Sequence, residues 1–421
     1  MNKIQYDNYV KILKGELIPA MGCTEPIAIA FTAAKAREVL GQMPEKMVVR
    51  CSGNIIKNVK GVIVPNSGGQ KGVEVAAILG AVAGKADLEL QVISEVQQED
   101  IDKTKELYQK GICSCELEEG EENLFIRAEL TAGQDVAAVE VRKKHNHIAK
   151  IEKNGKVIFE QADIVTQQSG DKSKLNIKDI LQFANEVNLD DVKDVISTQI
   201  KYNSAISQEG LTHNWGAQVG QTLMKFGGND VRIKARAAAA AGSDARMNGC
   251  ALPVVINSGS GNQGITCTMP VLVYAEDMGA DEDKLYRALV LTNLISLHQK
   301  RYIGNLSAYC GAVSAGTAAA CGIAYLNGAD YDTIGKTIIN SVGNVGGIVC
   351  DGAKASCAAK ISSSVDAGIM GYEMAKHDLV FPFGEGIVEE DYEKTIQNIG
   401  RMGRQGMKST DVEILNIMIG K

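Results

Sequence analysis

The stretch Ala308–Leu326, AYCGAVSAGTAAACGIAYL, constrains the fold more than any other part of the chain. It is built from Ala, Gly, Ser, Thr and Cys and is poor in Leu, Ile and Phe. A membrane-crossing helix needs about 20 residues dominated by large apolar side chains. Here the side chains are apolar but small, and small side chains let helix backbones approach closely. The stretch therefore reads as a buried core helix with neighbours packed tightly on it. Segments from Gly216 to Gly371 share this Ala- and Gly-rich composition, so a compact helical unit is expected there.

The part before about Asp171 reads differently. Helices are expected over roughly Asn2–Lys14, from GCTEP onward, over VEVAAILGAVAG and over DIDKTKELYQKG. KMVVRCSG, GVIVPN, LELQVISEV, LFIRAELTA and QDVAAVEVRKKHN have the apolar, β-branched character of strands. HIAKIEKNGKVIFEQ carries an Asn154-Gly155 hairpin signal. The polar run Gln167–Asn176 is the linker candidate. The expectation is an α+β domain with a mostly antiparallel sheet over residues 1–171, followed by an all-α, Gly/Ala-rich helical domain over 172–421. A chain of 421 residues accommodates two domains of ordinary size.

The formal net charge is −7 and no long basic run occurs, which argues against nucleic acid or an anionic membrane as partner. The N-terminal residues mix charged and apolar positions at helical spacing, without the continuous apolar core of a secretory signal. A cytoplasmic location is expected, with the ten cysteines reduced. A small-molecule partner fits this profile, and a homo-oligomer is left open.

Six cysteines follow the linker: Cys250, Cys267, Cys310, Cys321, Cys350 and Cys357. Cys310 and Cys321 would lie roughly 16 Å apart along one helix, too far to serve one small cluster. In GIVCDGAKASC, Cys350 and Cys357 would be roughly 10 Å apart if the segment were wholly helical. Gly352 instead suggests that Cys350 sits on a turn before the helix, so that both sulfurs can lean towards one point. Backbone N–H groups at such a helix start favour thiolate. The alternative is that all six are core cysteines, since free cysteine is a common core residue. No CxxC pattern is present to indicate a zinc ribbon or ferredoxin site.

Cys23 stands apart, in PAMGCTEPIA. Thr24 is a helix-capping residue type and Pro26 suits a first turn. Cys23 would then lie at a helix N-terminus, where a thiol's pKa falls and the thiolate becomes a nucleophile or base. A plain cap beside a bystander cysteine accounts for Thr24 and Pro26 but not for Cys23.

Taken together, GCTEP, NSGGQKG, NSGSGNQG, LSAYCG and GNVGGIVCDGAKASC resemble the L-cysteine desulfidase family, also called UPF0597 and related to the iron–sulfur L-serine dehydratases. The resemblance covers essentially the whole chain. It implies a [4Fe-4S] cluster held by Cys310, Cys350 and Cys357, with Cys23 catalytic. It also implies a pyridoxal-phosphate-free β-elimination of L-cysteine to pyruvate, ammonia and hydrogen sulfide. Three protein thiolates would leave one iron open as a Lewis acid, and a soft substrate sulfur suits such a position. Cys23 would take the Cα proton. Gly-rich turns offer backbone N–H groups for the substrate carboxylate, so Ser67, Gly68, Gly69 and Asn262 are substrate-site candidates; ordinary turns are the alternative reading. Thr24 and Glu25 join them, Glu25 either meeting the substrate ammonium or supporting the helix start. Of the five histidines, His145 and His147 are expected exposed on a strand, and His213, His298 and His377 are expected in fold-supporting hydrogen bonds. Two other functions remain open: a dehydratase of L-serine or another β-substituted amino acid, and a non-catalytic iron–sulfur sensor. For the sensor as a nucleic-acid regulator, the negative net charge is unfavourable.

Overall fold

A computed structural model of the chain describes residues 1–161, 170–304 and 306–421. The N-terminal half runs α1 (Lys3–Glu16), β1 (Pro19–Met21), α2 (Thr24–Leu40), β2 (Lys46–Cys51), α3 (Gly53–Lys60), α4 (Val73–Ala83), α5 (Gln98–Gln109), β3 (Cys113–Leu117), β4 (Phe125–Ala132), β5 (Asp135–Arg142), β6 (Ile148–Lys153) and β7 (Lys156–Glu160). The C-terminal half is helical: α6 (Ile177–Glu186), α7 (Lys193–Thr212), α8 (Val219–Gly227) and α9 (Val231–Met247) lead to one short strand, β8 (Pro253–Val255). After it come α10 (Gly261–Met278), α11 (Glu282–Ile303), α12 (Gly311–Leu326), α13 (Tyr331–Val345), α14 (Cys357–Ala375), α15 (Tyr392–Arg401) and α16 (Lys408–Ile419). The expected class, an α+β region with a mostly antiparallel sheet followed by a helical region, is the one observed.

The main sheet has the order β3-β2-β4-β5-β6-β7, antiparallel except for the β2–β3 pair. In β4, Ile126, Ala128, Leu130 and Ala132 are buried, and the alternate positions Arg127, Glu129 and Thr131 are half-exposed, the period of a strand with one face on the core. Asn154 and Gly155 both take positive φ in the β6–β7 hairpin, the turn that Asn-Gly signals. α2 and α4 cover the inward face. They cross where Gly80 meets Ala30, and a Cβ on Gly80 would sit 2.2 Å from the Ala30 carbonyl oxygen.

Two strand expectations fail. GVIVPN forms a loop held by a single bridge, Ile63 to Lys71, because Pro65 and the positive-φ residues Asn66, Gly68 and Gly69 turn the chain at once. LELQVISEV lies in a 3₁₀ turn over Ala86–Gln91 and the bends after it, with Glu89 at positive φ. Its apolar residues Leu90, Val92 and Ile93 are buried in the core that α2 shares, without a strand partner. Of the linker candidate, residues 167–169 lie outside the described residues. The remainder, from Gly170, packs on α1, where the Asn8 amide donates to the Asp171 carbonyl at 3.0 Å.

The small-residue helix α12 is buried almost throughout, as its composition requires. Gly316 lies against the backbone of Ser364 on α14. No helix among the described residues is long and apolar enough to cross a membrane. Among the contacts that join the halves of the sequence, two involve its first elements. Tyr9, Ile12 and Leu13 of α1 share a core with Leu175, Ile180 and Phe183. β1 pairs antiparallel with β8, Met21 opposite Pro253 and Pro19 opposite Val255.

Gly80→Ala forces its methyl group into the Ala30 carbonyl, and overpacking of this kind costs about 1–3 kcal/mol. It should lower the thermal unfolding midpoint. Gly347→Ala, where nothing lies within 4 Å of the added methyl, should leave the midpoint unchanged.

Candidate active site

One cavity of about 100 Å³ is lined by Cys23, Glu25, Asn262, Cys310, Cys350 and Cys357. Six residues singled out from the sequence are thus brought together. Four helix starts supply most of them. Cys23 precedes α2, Ser260 precedes α10, Cys310 precedes α12, and Cys357 is the first residue of α14. Each start presents backbone N–H groups and the positive end of its helix dipole.

Cys310 and Cys350 are held side by side by a short cross-connection. The Cys310 N–H donates to the Ile348 carbonyl at 3.0 Å, and the Cys350 N–H donates to the Ala308 carbonyl at 2.6 Å. The chain then turns at Gly352, whose φ is 94°. A Cβ there would lie 2.3 Å from the Lys57 carbonyl oxygen, so only glycine fits. The turn brings Cys357 back at the start of α14, its thiol 3.8 Å from the Gly352 carbonyl oxygen. Cys350 is therefore on a turn ahead of the helix, as GIVCDGAKASC suggests. Cys267 and Cys321 are fully buried and do not line the cavity.

The Cys310 and Cys350 thiols interact directly. Their hydrogen bond pushes the Cys310 thiol up and draws the Cys350 thiol below its usual range, with Lys57 and Lys360 adding to the latter. Burial raises Cys357. Lys57 is 1 % exposed, donates to the Cys350 carbonyl at 3.3 Å and pairs with Asp411. Lys300 lines the cavity; burial pulls its ammonium down to about 8, while Cys350 and Cys310 oppose that shift. Lys360 donates to the Val349 carbonyl at 2.8 Å. Soft thiols surrounded by cations and helix starts are the donor set of an iron–sulfur cluster. Among the described residues no three His, Cys, Asp or Glu side chains are grouped for a single metal ion. A four-iron cluster spreads its ligand sulfurs more widely, and three thiols lining one cavity fit a group of that kind.

Cys23 departs from its expectation. It does stand at a helix start, but its thiol is pushed well above the usual range by burial and by the Glu25 carboxylate, against the pull of Arg246. The thiol donates to Glu25 Oε2 at 3.2 Å. Desolvation and a neighbouring anion outweigh the helix dipole here. The Glu25 carboxyl is also buried, which raises its pKa, yet His145, Arg246 and the Cys23 thiol bring it to about 2. Asn58 Nδ2 donates to Glu25 Oε1 at 3.0 Å. Thr24 Oγ1 lies 3.0 Å from both Glu25 Oε2 and the Gly259 carbonyl, so Thr24 supports Glu25 from behind and does not line the cavity.

Ser67, Gly68 and Gly69 are not brought to the cavity. The Ser67 hydroxyl accepts from the Gln70 N–H at 2.9 Å and bonds the Gln70 carbonyl at 3.1 Å. The polar groups of this turn satisfy one another, leaving it a structural lead into α4. The second glycine-rich turn, Asn257–Gly264, does reach the site and delivers Asn262 and Gln263. Sequence reading missed Gln263, although it lies in NSGSGNQG, and missed Asn58, Arg246 and Lys300, for which no local motif exists, though an arginine following the Ala-rich run of α9 is a signal for Arg246. It also misplaced His145, which is 6 % exposed in the β5–β6 connection, with Nε2 3.9 Å from Glu25 Oε1. β5 ends at Arg142 because Lys143 takes positive φ and turns the chain inward.

Among the described residues, four that line the cavity have a buried side-chain oxygen with no hydrogen-bond partner: Asn58 Oδ1, Asn262 Oδ1, Gln263 Oε1 and the Tyr309 hydroxyl. Buried acceptors are rarely left unpaired, so the cavity is shaped for a ligand that brings N–H donors. Arg246 uses Nε on the Gly22 carbonyl at 2.8 Å, fixing its guanidinium at the wall. In Glu25→Gln the anion that raises the Cys23 thiol is lost. Peptide-resolved alkylation of Cys23 should shift to lower pH and run faster at neutral pH. An unshifted profile would mean that Glu25 does not control the thiol.

A family model described as the serine dehydratase alpha chain matches residues 87–416. A UPF0597 protein of Finegoldia magna is 52 % identical over 418 residues, covering 98 % of this chain and 100 % of that protein. A UPF0597 protein of Desulfitobacterium hafniense is 50 % identical, covering 99 % of this chain and 97 % of that one. A UPF0597 protein of Treponema denticola is 44 % identical, covering 100 % and 99 %.

Proposed function

Because the chain belongs to the UPF0597 family and carries a serine dehydratase alpha-chain region, we propose that it is a carbon–sulfur lyase, an L-cysteine desulfidase that forms pyruvate, ammonia and hydrogen sulfide. The observation that carries this reading is that Cys23 lines the same cavity as Cys310, Cys350 and Cys357. Those three thiolates would hold a [4Fe-4S] cluster, which would leave one iron without a protein ligand and would supply a Lewis acid for the charge on the departing sulfur.

The chain's own residues do the rest. The unpaired oxygens of Asn58, Asn262 and Gln263, with the Glu25 carboxylate beside them, accept from the substrate ammonium. Arg246 faces the substrate carboxylate. Cys23 takes the Cα proton, and to do so it must first give up its own. An ammonium arriving beside Glu25 offsets the negative charge that raises the Cys23 thiol, so substrate binding itself favours the thiolate. Burial of Cys23 keeps bulk water from quenching that base. The aminoacrylate released then hydrolyses in solution.

Dehydration of L-serine is the second reading, favoured by the description of the family model matching residues 87–416. Both are tested on protein reconstituted anaerobically with iron and sulfide. Cysteine should be turned over faster than serine, since the Cα–H acidity is alike and only the leaving group differs. Serine turnover equal to or above that of cysteine would replace the desulfidase with the dehydratase. Turnover of neither, with the iron–sulfur absorption intact, would favour the sensor. Cys23→Ala should lose about 10²–10⁴-fold in sulfide release while keeping that absorption. Cys350→Ala should lose both. Loss of the absorption in Cys23→Ala would make Cys23 a ligand.

A further inference from the structure

A second cavity, of about 530 Å³, lies on the far side of Glu25 and is lined by His145 and Gly259. His145 stands between the two cavities. Its Nε2 is buried and has no hydrogen-bond partner, and the nearest acid is Glu25, 3.9 Å away. Its other edge lies against Gly259, where a Cβ would approach Cε1 to 3.2 Å and Nδ1 to 3.4 Å. Gly259 takes φ of 74°, so the contact depends on glycine. The loop is tied in place by Asn146 Nδ2, which donates to Glu89 Oε2 at 2.7 Å. A buried nitrogen without a partner is costly, and no fold-supporting bond accounts for this one.

We propose that the proton taken by Cys23 leaves through Glu25 and His145 into the second cavity, with His145 as the positioning residue of that exit. The proposal rests on the reading of Cys23 as base. Its balance is simple. The Cα–H bond breaks and an S–H bond forms on Cys23. That proton passes to Glu25 Oε2 across the 3.2 Å contact. The protonated carboxyl turns to carry the same proton to the Oε1 side, where His145 Nε2 takes it and returns Glu25 to the carboxylate, and His145 Nδ1 releases one proton to water in the second cavity. No charge accumulates over a turnover, and no oxidant or co-reactant is needed. The gap at Nε2 closes to hydrogen-bond length with a shift of about 1 Å. This route also leaves the substrate cavity dry. The charged groups facing His145 are Glu25 on α2, Lys144 on its own loop, and Asp87 and Glu89 of the 3₁₀ turn. Glu16 of α1 and Lys172, paired at 2.8 Å, complete the wall.

The test has two arms. On the reconstituted enzyme, His145→Ala should lower kcat about 10–100-fold with KM within twofold of wild type. Added imidazole, entering through the second cavity, should restore most of the loss; wild type in the same imidazole corrects for effects elsewhere. His145→Gln, which keeps size and polarity but carries no proton, should be equally slow and not rescued. On the metal-free chain, peptide-resolved alkylation of Cys23 should shift to higher pH in both variants, opposite in sign to Glu25→Gln. If His145→Ala does not fold, His145→Gln carries both arms. Wild-type kcat in the variants, or loss without rescue together with an unshifted alkylation profile, would overturn the exit. Should wild type fail to release sulfide, the desulfidase reading fails, and the alkylation arm still decides whether His145 acts on Cys23 through Glu25.

Discussion

The meeting of four helix N-termini at one point is the constraint on which the rest of the structure depends. α2, α10, α12 and α14 each bring their unsatisfied N–H groups to the same cavity. Alone, four positive dipole ends would repel one another and leave buried donors without partners. The arrangement calls for negative charge in the middle, and the chain supplies groups able to carry it: the thiols of Cys23, Cys310, Cys350 and Cys357, and the Glu25 carboxylate. Lys57, Lys300, Lys360 and Arg246 stand behind them. The site and the fold are thus one electrostatic problem.

Convergence at this range excludes side chains from two of the helix starts, those of α10 and α12, and from the turn before α14. A Cβ on Gly261, the first residue of α10, would lie 2.3 Å from Arg246 Nε. On Gly311, the first residue of α12, it would lie 2.6 Å from Gln263 Cδ. On Gly352 it would meet the Lys57 carbonyl. The Gly- and Ala-rich composition of the C-terminal half continues the same requirement outward, since helices that meet closely at their ends must also pack closely along their length.

This is why part of the molecule was legible in the sequence. Small-residue helices, the Asn154-Gly155 hairpin and the turn at Gly352 are local consequences of local composition. The clustering of Cys310, Cys350 and Cys357 was legible through motif resemblance, because spacing alone favoured core cysteines. Ser67, Gly68 and Gly69 show the limit of that reasoning. A glycine-rich turn before a helix looks the same whether its N–H groups face a ligand or its own Ser67 and Gln70. The state of Cys23 was not legible either. A helix start lowers a thiol's pKa, and only the fold reveals that the site is buried and that Glu25 turns its carboxylate back onto the sulfur. His145 comes from the β5–β6 connection and Asn58 from α3, and nothing near them in sequence names Glu25 as their partner.

The two-stranded pair β1–β8 explains how residues more than two hundred positions apart are held in register. β1 ends at Met21 and leads through Gly22 directly into Cys23 and α2, while β8 leads through the Asn257–Ser260 turn into α10. The pair is only three residues long on each side, and two strands alone are marginal. It is reinforced at both ends: the Ile256 N–H donates to the Ile18 carbonyl at 3.0 Å, and Arg246 Nε bonds the Gly22 carbonyl. Thr24 then reaches across to the Gly259 carbonyl at 3.0 Å. Arg246, at the cavity wall, therefore also fixes the turn that carries Cys23. Gly259 likewise serves two elements, bonding Thr24 through its carbonyl and making room for His145 through its missing side chain. Cys23, its partner Glu25 and the histidine behind them are positioned by one clasp. A small displacement of that clasp would move all three together relative to the cysteines on α12 and α14.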